Sequence, residues 1–258
     1  VAAFSMAKSL APGDAQIRAE RAMPLLEMGR LDEALEDLKY AYRLDPYAPL
    51  VNANFGWHYY HRDKFEKAEK FFQNSIDVKK DFLAGYEGLI YISRARGHLD
   101  RALITSFKSM RQIPRENPVN IETFIDLAME LGLEELAQNK LNQLQTDFPN
   151  NISFYRAKYD LLMQQKNYKE AIDFTNKFFE RTNGISLNEY VEAKGKAHAG
   201  LGNYKKVLEL IKKDYPRALE SGELKKGTTN ISIAHYAAWA LQNSGENEKA
   251  EKILKTTC

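Results

Sequence analysis

Apolar side chains recur along this chain on two scales. Within short stretches they fall three and four residues apart, the spacing of one face of a helix. Phe55, Tyr59, Phe65, Ala68, Phe72 and Ser75, for example, lay one stripe on each of two successive helices. Over the whole chain one short word returns: a turn residue, then a bulky residue, then a small one. It reads Met28-Gly29-Arg30-Leu31-Asp32-Glu33-Ala34, His61-Arg62-Asp63-Lys64-Phe65-Glu66-Lys67-Ala68 and Arg96-Gly97-His98-Leu99-Asp100-Arg101-Ala102, with four more copies closing on Ala137, Ala171, Val207 and Ala250. The steps between the closing residues are 34, 34, 35, 34, 36 and 43. A period near 34 predicts stacked helix-turn-helix units that bury their neighbours in a one-dimensional array, so the expected fold is all-α, an α-solenoid.

The register sets the expected boundaries. One domain over 1–258 divides into repeats at 15–48, 49–82, 83–117, 118–151, 152–187, 188–216 and 231–258. Residues 217–230 form an inserted loop, read either as a plain connector or as a binding element. Residues 1–14 read as the remnant of a preceding repeat, because Ala7 to Pro12 matches Ala41 to Pro46 one period later, which predicts a piece of a longer protein. Prolines at 12, 46, 114, 149 and 216 close units. Pro49 and Pro118 open helices, where the missing N–H costs nothing. Pro24 falls inside a helix and predicts a kink or a late start.

At this point the residues resemble the tetratricopeptide repeat family over essentially the whole chain. The second repeat carries the likeness most fully, with Gly56, Tyr59, Phe65, Ala68 and Phe72 at the family spacings. The family's early tryptophan is absent, Asp63 and Lys166 stand where a turn glycine is usual, and Glu134 replaces an aromatic, so the third to fifth repeats read as degenerate. The resemblance implies a right-handed superhelix of about seven repeats plus the partial one. It also implies that the first helix of each repeat lines a concave groove that holds a peptide or helix of a partner protein.

Counting from the repeat starts gives Trp57, Tyr60, His61, Tyr91, Arg94, Met129, Arg156 and Met163 as candidate peptide-binding residues, with Met23, Asp126, Asp160, Lys196, His235 and Trp239 on the same face. Trp, Tyr and Arg dominate binding hot spots, which favours Trp57, Tyr60, Tyr91 and Arg94 as a recognition surface. The alternative is that these rings pack between helices, and Trp239 in the terminal unit fits that alternative better. The clamp by which some family members hold the carboxylate tail of a chaperone would need Lys, Asn, Asn, Lys and Arg. Ala19, Met23, Asn54, Ala84 and Gly88 stand there, so no chaperone-tail clamp is expected.

Composition narrows the rest. With 44% hydrophobic and 28% charged residues, large disordered stretches are not expected, and a net charge of +2 makes no overall case for direct nucleic-acid binding. Between Lys194 and Lys226 nine basic residues outnumber four acidic ones, which suits either solvated helix faces or an acidic partner. No apolar run is long enough for a membrane span. The lone Cys258 leaves no disulfide for the fold.

His58 and His61 lack a third converging ligand, Gly195 to Gly202 is out of order for a phosphate loop, and the acidic pairs such as Asp32-Glu33 begin helices, where they suit the helix dipole. The reading is therefore non-catalytic, with no cofactor or metal. The alternative is a sensory or regulatory part of a larger bacterial signalling or transcriptional regulator. A cytoplasmic setting is favoured, with the periplasm as the alternative for a membrane-anchored regulator. A cut first repeat further predicts self-association through Phe4, Leu10, Ile17 and Leu25.

Overall fold

The computed structural model describes residues 6, 13–113, 117–182, 185–215 and 228–257. Phe4, Leu10, Pro12, Pro114, Pro216, residues 217–227 and Cys258 lie outside them. Among the described residues there are fourteen helices and no strand. The chain is an all-α helical-repeat solenoid, and its contacts divide into two compact units, residues 1–140 and 141–258.

In the first unit α1 (Ala15–Glu27) pairs with α2 (Leu31–Leu44), α3 (Pro49–Tyr60) with α4 (Phe65–Val78), and α5 (Leu83–Ala95) with α6 (Leu99–Gln112), followed by α7 (Pro118–Glu130) and the start of α8 (Glu134–Asp147). The second unit continues through α9 (Ile152–Gln164), α10 (Tyr168–Thr182), α11 (Leu187–Gly200), α12 (Tyr204–Asp214), α13 (Thr228–Asn243) and α14 (Asn247–Thr257).

Local chemistry starts and stops these helices. Asp14, Asn117, Asn151 and Ser186 cap α1, α7, α9 and α11 by accepting from backbone N–H groups of the first turn, and Ser186 with Glu189 completes a capping box. Each turn between paired helices closes with the same two bonds, as where Arg30 N donates to Leu25 O (2.8 Å) and Gly29 N to Leu26 O (3.0 Å). That closure places one residue at positive φ. Gly29, Gly97, Gly132, Gly202 and Gly245 fill it in five turns, but Asp63 (φ 54°) and Lys166 (φ 59°) fill it in the other two. The two missing glycines are thus tolerated by a side chain held in the left-handed region, without a change in the turn.

Burial then fixes the packing. Ala34, Ala68, Ala102, Ala137, Ala171, Val207 and Ala250, the small residues that close the recurring word, are all fully buried. In the first unit Phe72 of α4 is fully buried with its ring wedged between α3 and α5. A Cβ on Gly56 would stand 2.6 Å from that ring, and one on Gly88 only 2.2 Å. Asn54 is buried as well, and its Nδ2 donates to Ala19 O of α1 (2.8 Å), tying consecutive first helices together. Within the first pair the buried Arg21 Nε meets the fully buried Asp37 Oδ2 at 2.5 Å. In the second unit Gly195 of α11 gives room to the Tyr236 ring, which a Cβ would meet at 2.5 Å.

Several expectations need correction. First helices begin at Ala15, Pro49, Leu83, Pro118 and Ile152 as the register has them, but the sixth begins at Leu187 and the seventh at Thr228, three residues inside the expected loop. The α1 helix begins at Ala15 and runs through Pro24, which sits in its last turn, so there is no late start. Leu25, expected to be exposed at a truncated end, is fully buried in the α1–α3 core, and Ile17 is half-buried.

Candidate functional site: an aromatic face on the first helices of repeats two and three

In the first unit α3 and α5 are packed side by side over Phe72, and the residues that this wedge cannot bury form the candidate site. Trp57 rests edge-on against Phe72, with ring centroids 5.1 Å apart. Tyr60 lies one turn further along α3, and Tyr91 of α5 approaches both: Trp57–Tyr60 is 5.6 Å at 83°, Trp57–Tyr91 5.2 Å at 75°, and Tyr60–Tyr91 6.3 Å at 81°. His61 continues the set, its ring 5.9 Å from that of Tyr60. Burial under these rings is uneven. Trp57 and Tyr60 are half-buried, His61 is exposed, and Tyr91 keeps 53% of its surface in solvent. His58, although three residues from His61, points elsewhere: it is 2% exposed, and burial lowers its pKa.

Charge lines the same face. Arg94, one turn beyond Tyr91, forms an ion pair with Glu130 of α7. Glu87, one turn before Tyr91, is half-buried, and burial raises the pKa of its carboxyl. Glu130 and Glu87 were not among the residues picked from the sequence. Their signal was the register itself, since Glu87 shares the helical stripe of Tyr91 and Arg94 at spacings of four and seven.

Five of the eight sequence candidates, Trp57, Tyr60, His61, Tyr91 and Arg94, thus come together in the first unit. Met129 does not present itself, being buried at 8% exposure. Met23 is half-buried against the α1–α3 core, and Asp126 is half-buried on α7. In the second unit Arg156 is half exposed and its guanidinium donates to Glu189 at 2.8 Å, holding that carboxyl below the ordinary range. Asp160 is exposed, yet surrounding protein atoms raise its pKa against the pull of Lys196 and Arg156. Met163 is half-buried against the Tyr155, Tyr159 and Phe178 cluster, and Lys196 pairs with Glu192 at 2.7 Å. His235 is exposed. Trp239, 40% exposed, stacks on Tyr236 at 5.4 Å and meets Tyr204 edge-on at 5.5 Å.

A separate cleft of about 620 Å³ opens between α4, α5 and α6, where Glu69, Lys80, Arg101 and Lys108 mix with Ile76, Leu89 and Ile104. Arg96 and Arg101 both pair with Glu69 at its edge. Among the described residues no group of three or more His, Cys, Asp or Glu is placed to hold a metal ion, and no helix is long and apolar enough to cross a membrane.

A family profile described as tetratricopeptide repeat matches residues 25–87, the stretch that contains Trp57, Tyr60 and Phe72. No curated protein matches the chain by sequence. Among solved structures, a tetratricopeptide repeat protein from Parabacteroides merdae superposes with a TM-score of 0.67 at 16% identity, over 94% of this chain and 91% of that one. A chain of the APC/C hetero-tetramer Cut9–Hcn1 gives 0.64 at 14% identity over 99% of this chain, which spans only 48% of that one. PilW, a widely conserved type IV pilus biogenesis factor, gives 0.61 at 14% identity over 85% of this chain and 97% of that one. The repeat period, the paired helices with their shared turn, the match of residues 25–87 to the tetratricopeptide repeat profile and these superpositions agree on the fold: a helical-repeat solenoid of the tetratricopeptide kind.

Proposed function

We propose that the chain is a non-catalytic binding module whose first unit holds a peptide or helix of a partner protein on the face of Trp57, Tyr60, His61, Tyr91 and Arg94. The tetratricopeptide fold serves protein–protein interaction in general. What supports the finer reading is one observation: three large rings from two adjacent helices form a continuous surface, with Tyr91 more than half exposed. Rigid aromatic side chains in such a setting offer large contact area at small cost in side-chain entropy, and Trp, Tyr and Arg are the residues in which binding energy concentrates. Arg94 is already oriented by Glu130, so it can donate to a partner without reorganising. Arg156 beside Glu189 is the corresponding contact residue of the second unit, with Met163 two turns along the same helix. The solved neighbours add that this architecture occurs in a named hetero-tetramer and in a pilus biogenesis factor.

Selection from a random peptide display library on the immobilised chain tests the reading. Enriched peptides are expected to bind the Tyr91→Ala variant at least about 30-fold more weakly, the weight of a hot-spot residue. Trp57→Ala should do the same, with circular dichroism unchanged in Tyr91→Ala. Peptides that bind the Tyr91→Ala and Trp57→Ala variants as well as the parent would contradict it.

A further inference from the structure

The three rings of the α3–α5 face stand almost mutually perpendicular, at 83°, 75° and 81°. Planes that face a common point from three perpendicular sides at distance d have centroids d√2 apart. A cation that met the faces of all three rings at these separations, 5.6, 5.2 and 6.3 Å, would stand about 4 Å from each, inside the roughly 6 Å over which a ring face attracts a cation. Elsewhere in this unit the chain's own cations sit on rings: Arg18 and Arg43 on Tyr40, Lys67 on Tyr59, Arg96 on Phe65 and Arg111 on Phe107. None of the described Lys or Arg residues lies over Trp57, Tyr60 or Tyr91, and the nearest candidate in the helical register, Arg94, is engaged by Glu130.

The charge around the corner has the matching sign. Arg94 and Glu130 neutralise each other as an ion pair, and Glu87 of α5 is the carboxylate beside them. Glu87 is half-buried one turn from Tyr91 on the same helix face. It has no hydrogen-bond or ion-pair partner among the described residues.

We propose that Trp57, Tyr60 and Tyr91 form an aromatic cage for the ammonium group of a lysine in the partner segment, with Glu87 as its counter-charge. The inference rests on the reading of this face as the peptide-binding surface and adds the chemistry of the residue it selects.

Two probes of equal shape test the cage directly: choline, and its neutral analogue 3,3-dimethylbutan-1-ol. In a Trp239→Phe background Trp57 is the only tryptophan of the chain, and its fluorescence reports occupancy. Choline is expected to bind about tenfold more tightly than the neutral analogue, and Glu87→Gln to weaken choline about three- to tenfold while leaving the analogue unchanged. Display-selected peptides are expected to carry a lysine whose replacement by norleucine weakens binding about tenfold, whereas N-trimethylation preserves it. Equal binding of the two probes, or a Glu87→Gln variant that binds choline like the parent, overturns the cage. Peptides that need Tyr91 but tolerate norleucine also overturn it while leaving the peptide-binding reading in place. Peptides indifferent to Tyr91→Ala overturn that reading, and with it the partner lysine.

Discussion

Replacing Gly88 with alanine adds one methyl group at the point where α5 presses on Phe72, and the structure gives the size of the effect. The new Cβ would stand 2.2 Å from Cε1 and 2.3 Å from Cδ1 of the ring, so the ring or a helix must move. The ring has little room: it is fully buried, a Cβ on Gly56 would meet it at 2.6 Å from the α3 side, and the Trp57 ring packs against it with centroids 5.1 Å apart. At an exposed helical site the substitution would gain about 1 kcal/mol of helix propensity. Overpacking costs about 1–3 kcal/mol, and confinement on both sides puts this site toward the upper end. The net expectation is a loss of about 1–2 kcal/mol. Urea unfolding of the full chain followed by circular dichroism measures it for Gly88→Ala, Phe72→Leu and the double variant. Leucine vacates the space the methyl group needs, so Gly88→Ala in that background should be neutral or mildly stabilising, with a coupling of at least about 1 kcal/mol. A stabilising Gly88→Ala, or a loss that is the same in both backgrounds, would refute the wedge. Because Trp57 leans on the same ring, the variant should also disturb ligand binding by the aromatic face.

Other expectations are simpler. Asp63→Gly and Lys166→Gly, which relieve side chains at φ 54° and 59°, should each stabilise the chain by about 0.5–1 kcal/mol in the same urea assay, less the entropy that glycine adds to the unfolded chain. Asn54→Ala removes the bond to Ala19 O, a carbonyl inside α1 that keeps its helical partner, for a loss of about 0.5–1.5 kcal/mol. Burial lowers the pKa of His58 and His198 below the ordinary 6.5, so between pH 7.5 and 5.5 the unfolded chain takes up protons that the folded chain does not. Stability should therefore be complete above about pH 6.5 and decline below it, and His58→Gln should flatten the fall in melting temperature. The carboxyls of Glu87 and Asp160, whose pKa values are raised by burial, act in the opposite sense as pH falls, so the difference between His58→Gln and the parent, not the parent profile alone, isolates the histidine.

The repeat word was legible because each of its positions has a separate physical duty. A residue at positive φ closes the turn, and a small residue lets two helices touch, so even Asp63 and Lys166 could be assigned by position against their type. The start of α13 was not legible. Counting back from Ala250 fixes the apolar face, but the polar Thr228, Thr229 and Asn230 carry no periodicity that says whether they extend the helix or precede it. The site shows the same division. Register alone put Trp57, Tyr60 and Tyr91 on one face, because it is a property of each helix. Their mutual angles depend on the Phe72 wedge and the two glycines beside it, which register does not encode. The burial of Met129 was missed for the same reason: helical phase gives direction, not depth. Glu87 passed unnoticed because an unpaired carboxylate is defined by what fails to approach it.

The central claim is that the ligand lies on the α3–α5 face and not in the cleft between α4 and α6. Photo-crosslinking from a benzoylphenylalanine placed at Tyr91, compared with one placed at Ile104, decides between them with a display-selected peptide. The account predicts a crosslinked adduct from position 91 and none from position 104; an adduct from position 104 alone would contradict it.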